Sequence, residues 1–246
     1  MGLDNSLKNS GFVRGMLYFF IGIFSYPGLC IFNKLKITGM EKLKPLPKQK
    51  VLFVSNHHTY FADVITLVHI FCAAKWGKKR GLGIPYYLLL PFTRVRYVAA
   101  DSTMKSSFLS KIFTLAGAIT VKRTWAPNTG EQRNSINPGD TRNILKALEE
   151  NWVITFPQGT TKEFAAGRKG TAYVIKQVKP IVIPVVISGF RTAFDKKGLQ
   201  LKQKGTKLSV QFKDPLNIDY DDSLENILEQ IMDSIEQSKK YQPVIV

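Results

Sequence analysis

The sequence is short of cysteine, histidine and acidic residues. Its 246 residues include 2 cysteines, Cys30 and Cys72, too few for a disulfide framework and not at a metal-ligand spacing. That usage fits a reducing, cytoplasm-facing location. The 3 histidines, His57, His58 and His69, are too few and too unevenly spaced for a zinc site, so no metal is expected. There is no internal repeat and no low-complexity tract. No Gly-x-Ser-x-Gly elbow offers a serine nucleophile. The run Gly167-Arg-Lys-Gly-Thr171 lacks the Gly-Lys-Ser/Thr ending of a phosphate-binding loop, which removes nucleotide binding.

What is abundant is positive charge. Lys and Arg number 35 against 18 Asp and Glu, a net charge of +17. Such an excess points to a polyanionic partner, either nucleic acid or an anionic membrane surface. The amino-terminal region separates the two. Gly15 to Asn33 carries no charge, is rich in Phe and Tyr, and has Lys8 and Arg14 before it and Lys34 and Lys36 after it. As one helix it would reach roughly 28 Å, close to a hydrocarbon core. Pro27 and Gly28 are expected to interrupt it. An apolar helix with basic and aromatic borders suits a membrane interface. No reading helix or aromatic RNA motif accompanies the charge, so membrane lipids and not nucleic acid are the expected partner.

Beyond the Pro- and Lys-rich stretch 43–50, short apolar runs alternate with helical ones. Strands are expected at 51–54, 95–99, 118–122, 152–156, 181–187 and, more exposed, 208–212. Helices are expected at 64–76, 104–116, 141–151 and 170–178. A last helix is announced by Asp222 with Glu225 three residues on. Residues 128–140 read as a polar loop, and Pro184 suggests a strand end or bulge. The alternation predicts an α/β fold with a single, largely parallel sheet flanked by helices, behind an apolar helical membrane element. The division expected is 1–42 for that element and 43–246 for the α/β domain.

Four blocks carry chemistry. The first, Ser55-Asn-His-His-Thr-Tyr-Phe-Ala-Asp63, follows a strand and leads into a helix. A histidine beside a carboxylate can act as a general base whose tautomer the carboxylate fixes. His58 precedes Asp63 by five positions and His57 by six, and a turn can bring either ring back. Asp63 also suits a helix N-cap. His69, on the apolar helix beyond, reads as a packing residue. The second block, Gly117 to Arg123, is a strand ending in cations, where Arg123 can hold a phosphate. The third, Ile154-Thr-Phe-Pro-Gln-Gly-Thr-Thr161, runs from a strand into a turn. There Gly159 opens the backbone to an anion, and Lys162, Arg168 and Lys169 add charge downstream. The fourth, Ile181 to Ile187, is a buried strand.

The order and spacing of these blocks, over Val51 to Gly189, resemble the lysophospholipid acyltransferase family, which includes the 1-acylglycerol-3-phosphate acyltransferases. That family shows Asn-His-x4-Asp, Gly-x-apolar-Arg, Phe-Pro-Glu-Gly-Thr and apolar-Pro-apolar in turn. The resemblance implies transfer of a fatty acyl group from acyl-CoA or acyl carrier protein to a hydroxyl of a lysophosphatidic-acid-like acceptor. It implies no further cofactor, and a membrane-associated enzyme of phospholipid synthesis. It implies His58 or His57 as base and Asp63 as its partner; the x4 spacing favours His58, the preceding Asn56 favours His57. Arg123, Gln158, Gly159, Thr160, Thr161 and Lys162 fall in the acceptor-binding blocks. Gln158 stands where glutamate is usual and Thr161 where arginine is common, which bears on the acceptor's head group. Acylation of another lyso-lipid, such as a lyso-amino-acid lipid, and a non-enzymatic basic membrane-binding protein are the alternative readings.

Overall fold

A computed structural model describes residues 10–101, 108–121 and 138–243. Helix α1 (Gly11–Tyr26) is capped by Ser10, whose hydroxyl accepts from the Val13 amide. Pro27 and Gly28 do not break it. The chain continues as a π-turn, Pro27–Ile31, in which Phe32 N donates to Pro27 O at 2.8 Å. That bond uses the Pro27 carbonyl, which proline keeps, and Pro27 stands at the first position of the π-turn, so the whole apolar helix spans Gly11–Ile31. Asn33 ends it: its amide donates to Gly28 O, and its side-chain oxygen accepts from Thr206 N.

The next residues were not foreseen as sheet. Strand β1 (Lys34–Thr38) pairs in parallel with β7 (Lys207–Phe212). The sheet therefore begins at Lys34, before the expected boundary at 42. Alternating lysines on this exposed edge obscure the strand pattern and also discourage edge pairing. The remaining elements follow the expected alternation with two differences: a helix begins at Pro138, inside the expected loop 128–140 whose residues 128–137 lie outside those described, and a short helix at 190–193 was not expected. They are β2 (Val51–Ser55), α2 (Ala62–Lys75), β3 (Val95–Ala100), α3 (Phe108–Leu115), β4 (Ala118–Val121), α4 (Pro138–Glu150), β5 (Trp152–Thr155), α5 (Lys169–Val178), β6 (Ile181–Ser188), the short α6 (Phe190–Ala193) and α7 (Leu224–Ser234). The N-cap of α7 is Ser223, one residue later than expected. Its hydroxyl accepts from Asn226 N, while Asp222 accepts from Ser223 N.

The seven strands are ordered β1-β7-β6-β2-β5-β3-β4, and every neighbouring pair is parallel except β6–β7. Pro184 sits inside β6, where pairing with β7 stops at Val185. Alternation along the central strands divides the core in two. Val51, Phe53, Trp152 and Ile154 face α1 and α2. Leu52, Val54 and Val153 face α4, α5 and α7. On the first face Phe53, Phe71 and Trp152 form an aromatic knot with centroids 4.5–5.2 Å apart. Strand β2, buried at all five positions, is thus clamped on both faces and both edges.

The amino-terminal helix is joined to this core by His69 of α2. Ser25 Oγ lies 2.9 Å from its Nε2 and Tyr87 Oη 2.9 Å from its Nδ1. The packing role expected for His69 is the one it has. Burial pushes its imidazole down to about 4, from roughly 6.5 in an unfolded chain. In that window the unfolded state binds a proton that the folded state refuses, so stability falls as pH drops from about 6.5 to about 4, by up to about 3 kcal/mol. His69→Gln is expected to flatten this part of the pH dependence, read as urea midpoints across the window. Equal slopes in both proteins would show that another group titrates.

Candidate active site

Strand order decides what meets. Because β6, β2 and β5 are adjacent and parallel, the segments leaving their carboxyl ends converge, the usual place for a ligand on such a sheet. These segments are the His-His turn after β2, the Phe-Pro-Gln-Gly turn after β5 and the start of α6 after β6. The second block leaves β4 at the far edge of the sheet, and Arg123 lies outside the described residues.

The turn after β2 is built around Asp63, which is 1% exposed. Its Oδ2 accepts from His57 Nδ1 at 2.8 Å, from His58 N at 2.6 Å and from Thr59 N at 3.0 Å; its Oδ1 accepts from Thr59 Oγ1 at 2.8 Å. Asp63 also occupies the first turn of α2, where the helix dipole favours a negative charge. Four donors and a helix end satisfy a buried carboxylate that would otherwise be costly to desolvate.

It is His57, not His58, whose ring reaches Asp63. For the contact with Asp63 the structure thus has the other ring from the one that the x4 spacing favours. A chain that turns this tightly points the backbone amides of His58 and Thr59 at the carboxylate, and only the ring one residue earlier can fold back over it. His57 is further held by stacking on Phe156, centroid to centroid 3.9 Å and 18° from parallel. Its Nδ1 is committed to Asp63, which leaves Nε2 as the ring atom able to take a proton. The ring of His58 turns the other way. Its Nε2 is 3.3 Å from Asn56 Nδ2, its Nδ1 is buried without a hydrogen-bond partner, and burial lowers its pKa below the ordinary imidazole value.

Neighbouring segments fix the turn. The Asn56 amide spans to β6 in both directions, donating to Ile187 O at 2.9 Å and accepting from Ile187 N at 2.8 Å. Tyr60 N and Phe61 N donate to Lys196 O and Lys197 O. Gly198 makes this approach possible, since a Cβ there would lie 2.6 Å from Ala62 N at a φ of +77°.

The third block makes the opposite wall. Gly159 closes its turn by donating to Phe156 O, at a φ of +61°. Gln158 does not face the site as expected of an acceptor-binding residue. It is buried, and its amide donates to Ala165 O at 3.1 Å and to Gln237 Oε1 at 3.1 Å. Gln237 Oε1 also accepts from Phe164 N. Carbonyl oxygens buried around a side chain need a donor, which a glutamine amide supplies and a carboxylate would not. Thr160 and Thr161 are half-buried and Lys162 is exposed. The Arg168 guanidinium lies over Gly159, where a Cβ would meet it at 2.7 Å.

One residue that the sequence reading passed over joins the two walls. Arg191 of α6 donates from Nη2 to His57 O at 3.2 Å and also to Thr161 O, and its Nη1 pairs with Glu163 at 2.5 Å. No local motif marks it; its position after β6 was the only available signal. Further along α2, an apolar cleft lies between α1, α2 and α3. Val64, Ile65 and Val68 line it, beginning one residue beyond Asp63, and Tyr18, Gly22 and Phe113 close it. Among the described residues, no group of three or more His, Cys, Asp or Glu is disposed to hold a metal.

The Asn56 splice carries a direct prediction. Asn56→Leu leaves the Ile187 N–H and C=O buried without partners and is expected to cost about 3 kcal/mol. A lower urea midpoint at unchanged m-value is the measure, and a shift under about 0.5 kcal/mol would show that the splice contributes little.

A profile of the Acyltransferase family matches residues 34–188, and this range holds β1 to β6 with both walls of the site. Comparison with curated proteins returned no match. Among solved structures the chain is similar to the 1-acyl-sn-glycerophosphate (LPA) acyltransferase PlsC from Thermotoga maritima. Identity is 14% and the TM-score 0.53, over 94% of this chain and 83% of that one; at that identity the likeness speaks for the fold. Since the family profile covers well over half of the sequence, the chain belongs to the acyltransferase family.

Proposed function

We propose that this enzyme moves a fatty acyl group from a thioester, acyl-CoA or acyl-ACP, to a hydroxyl of a lysophosphatidic-acid-like acceptor, with His57 as general base. The observation that carries the reading is the 2.8 Å contact from His57 Nδ1 to the buried Asp63 carboxylate, which sets the tautomer with a basic Nε2. In the reaction Nε2 takes the acceptor's hydroxyl proton as the oxygen attacks the thioester carbonyl. The tetrahedral intermediate collapses to the ester, the C–S bond breaks, and the imidazolium returns its proton to the departing sulfur. Asp63 stabilises the imidazolium between these steps. A phosphate on the acceptor is supported by Arg168, whose guanidinium lies over the Gly159 turn, and by the exposed Lys162 three residues on.

Association with a membrane, at the face turned to the reducing cytoplasm, is part of the same proposal. It is supported by the apolar length of Gly11–Ile31, by the net charge of +17 and by two free cysteines.

Purified protein given CoA or acyl carrier protein thioesters and a panel of lyso-lipids is expected to release thiol only when an acceptor is present. Absence of acceptor-dependent release with every pair would reject the reading. His57→Ala is expected to lower turnover about 1000-fold and His58→Ala less than about tenfold, both folded by circular dichroism. The reverse ranking would make His58 the base. Arg191→Ala frees the His57 and Thr161 carbonyls and is expected to lower kcat about 10- to 100-fold with a smaller change in KM. Unchanged kcat would reduce the residue to a surface ion pair.

A further inference from the structure

The outer residues of α1 form one stripe. Phe12, Met16, Phe20 and Ile23 are exposed and recur at helical spacing, with Phe24 beside them at 82% exposure. Arg14, Tyr18 and Gly22 form the opposite, buried stripe. That stripe is bonded to the protein along its whole length. Arg14 Nη1 donates to Thr93 O at 2.7 Å, Tyr18 Oη to Val95 O at 3.3 Å, and Tyr26 Oη to Gly83 O at 2.6 Å. Gly22 sits against the Leu88 methyls and Gly15 against Pro91. The segment 83–93 therefore runs antiparallel alongside α1.

The outer residues of that segment are also apolar. Ile84, Tyr86, Leu89 and Leu90 are exposed, Leu90 at 76%. Trp76 joins them, half-exposed, with its indole N–H donating to Leu90 O at 3.1 Å. The exposed run Lys78-Lys79-Arg80 borders this group. Neither strip carries acid: residues 5–40 and 64–100 contain no Asp or Glu. Apolar strips with a tryptophan and a basic run beside them suit an anionic leaflet, which offers hydrocarbon to the first and phosphate to the last.

We propose that residues 84–90 are a second membrane-inserting element. They enter one leaflet beside α1, which lies along the membrane plane, while Lys78, Lys79 and Arg80 meet the lipid phosphates. The proposal rests on the membrane association proposed above and adds its geometry. A helix crossing the bilayer would meet lipid on all sides, whereas the Arg14 and Tyr18 side of α1 is held against the protein, and releasing it would carry a guanidinium into hydrocarbon.

Sealed vesicles of phosphatidylcholine and phosphatidylglycerol, about 3:1, test the idea by co-sedimentation. The double change Leu89→Glu and Leu90→Glu is expected to weaken partitioning at least about tenfold, at unchanged circular dichroism and melting temperature. Lys78, Lys79 and Arg80 changed together to Ser should lose the preference for anionic over pure phosphatidylcholine vesicles. Protease sites placed at the two ends of the chain should both be cut from outside intact vesicles. Protection of the amino-terminal site alone would mean that α1 spans, and would overturn the in-plane geometry. Unchanged partitioning of the double variant would overturn the role of 84–90. A lipid-free dimer dissolved by that variant, with partitioning unaltered, would instead assign the band to a second copy. Failure of the wild type to bind any vesicle would overturn the membrane reading itself, while leaving the acyl-transfer assay unaffected.

Discussion

A carboxylate with almost no contact with water organises the turn between β2 and α2. Asp63 is tolerated because the turn before it supplies four donors and the helix after it supplies a favourable dipole. The same donors fix the turn's conformation. Two backbone amides and a hydroxyl pin the chain, so the remaining donor, the His57 ring, has one orientation open to it. Satisfying the buried charge and orienting the His57 ring are one act. The sheet and its loops then hold this turn still: Asn56 laces it to β6, Phe156 supports the ring from β5, and Arg191 ties its carbonyl to the opposite wall.

This arrangement depends on strand adjacency. The site's two walls come from segments about a hundred residues apart in sequence, and they meet because β5 and β6 flank β2. The apolar cleft lies further along α2. Helix α2 carries Asp63 at its first turn and the cleft-lining Val64, Ile65 and Val68 immediately after it. Part of that cleft's surface belongs to α1, through Tyr18, Ile21 and Gly22. The amino-terminal helix is therefore a wall of the cleft as well as an exposed apolar surface. His69 joins these two roles by bonding to Ser25 of α1 and to Tyr87 of the segment alongside it.

Much of this was legible in the residues. Alternation of β-branched runs with amphipathic ones determined a largely parallel α/β sheet, because only strands buried on both faces read as continuous apolar runs. The ordered blocks determined the acyltransferase family, and the uncharged stretch 15–33 determined a long apolar helix. Pro27 misled, since the π-turn that follows it needs only the carbonyl that proline keeps. Strand β1 was hidden because an edge strand with outward lysines lacks the apolar run that marks the interior ones.

What only the tertiary structure decided are matters of direction. Spacing placed two histidines within reach of Asp63, but which ring turns inward depends on the path of a turn pinned by amides that every sequence possesses. Gln158 looked like a ligand-facing residue and proved to be an internal brace, because its partners Ala165 and Gln237 are supplied by the folded chain. Arg191 had no motif, and its role exists only where the ends of β2, β5 and β6 converge. The two faces of α1, one bonded to the protein and one bare, were likewise undetermined by composition. A hydrophobic stretch specifies that a helix avoids water, and the neighbours it packs against determine which side does so.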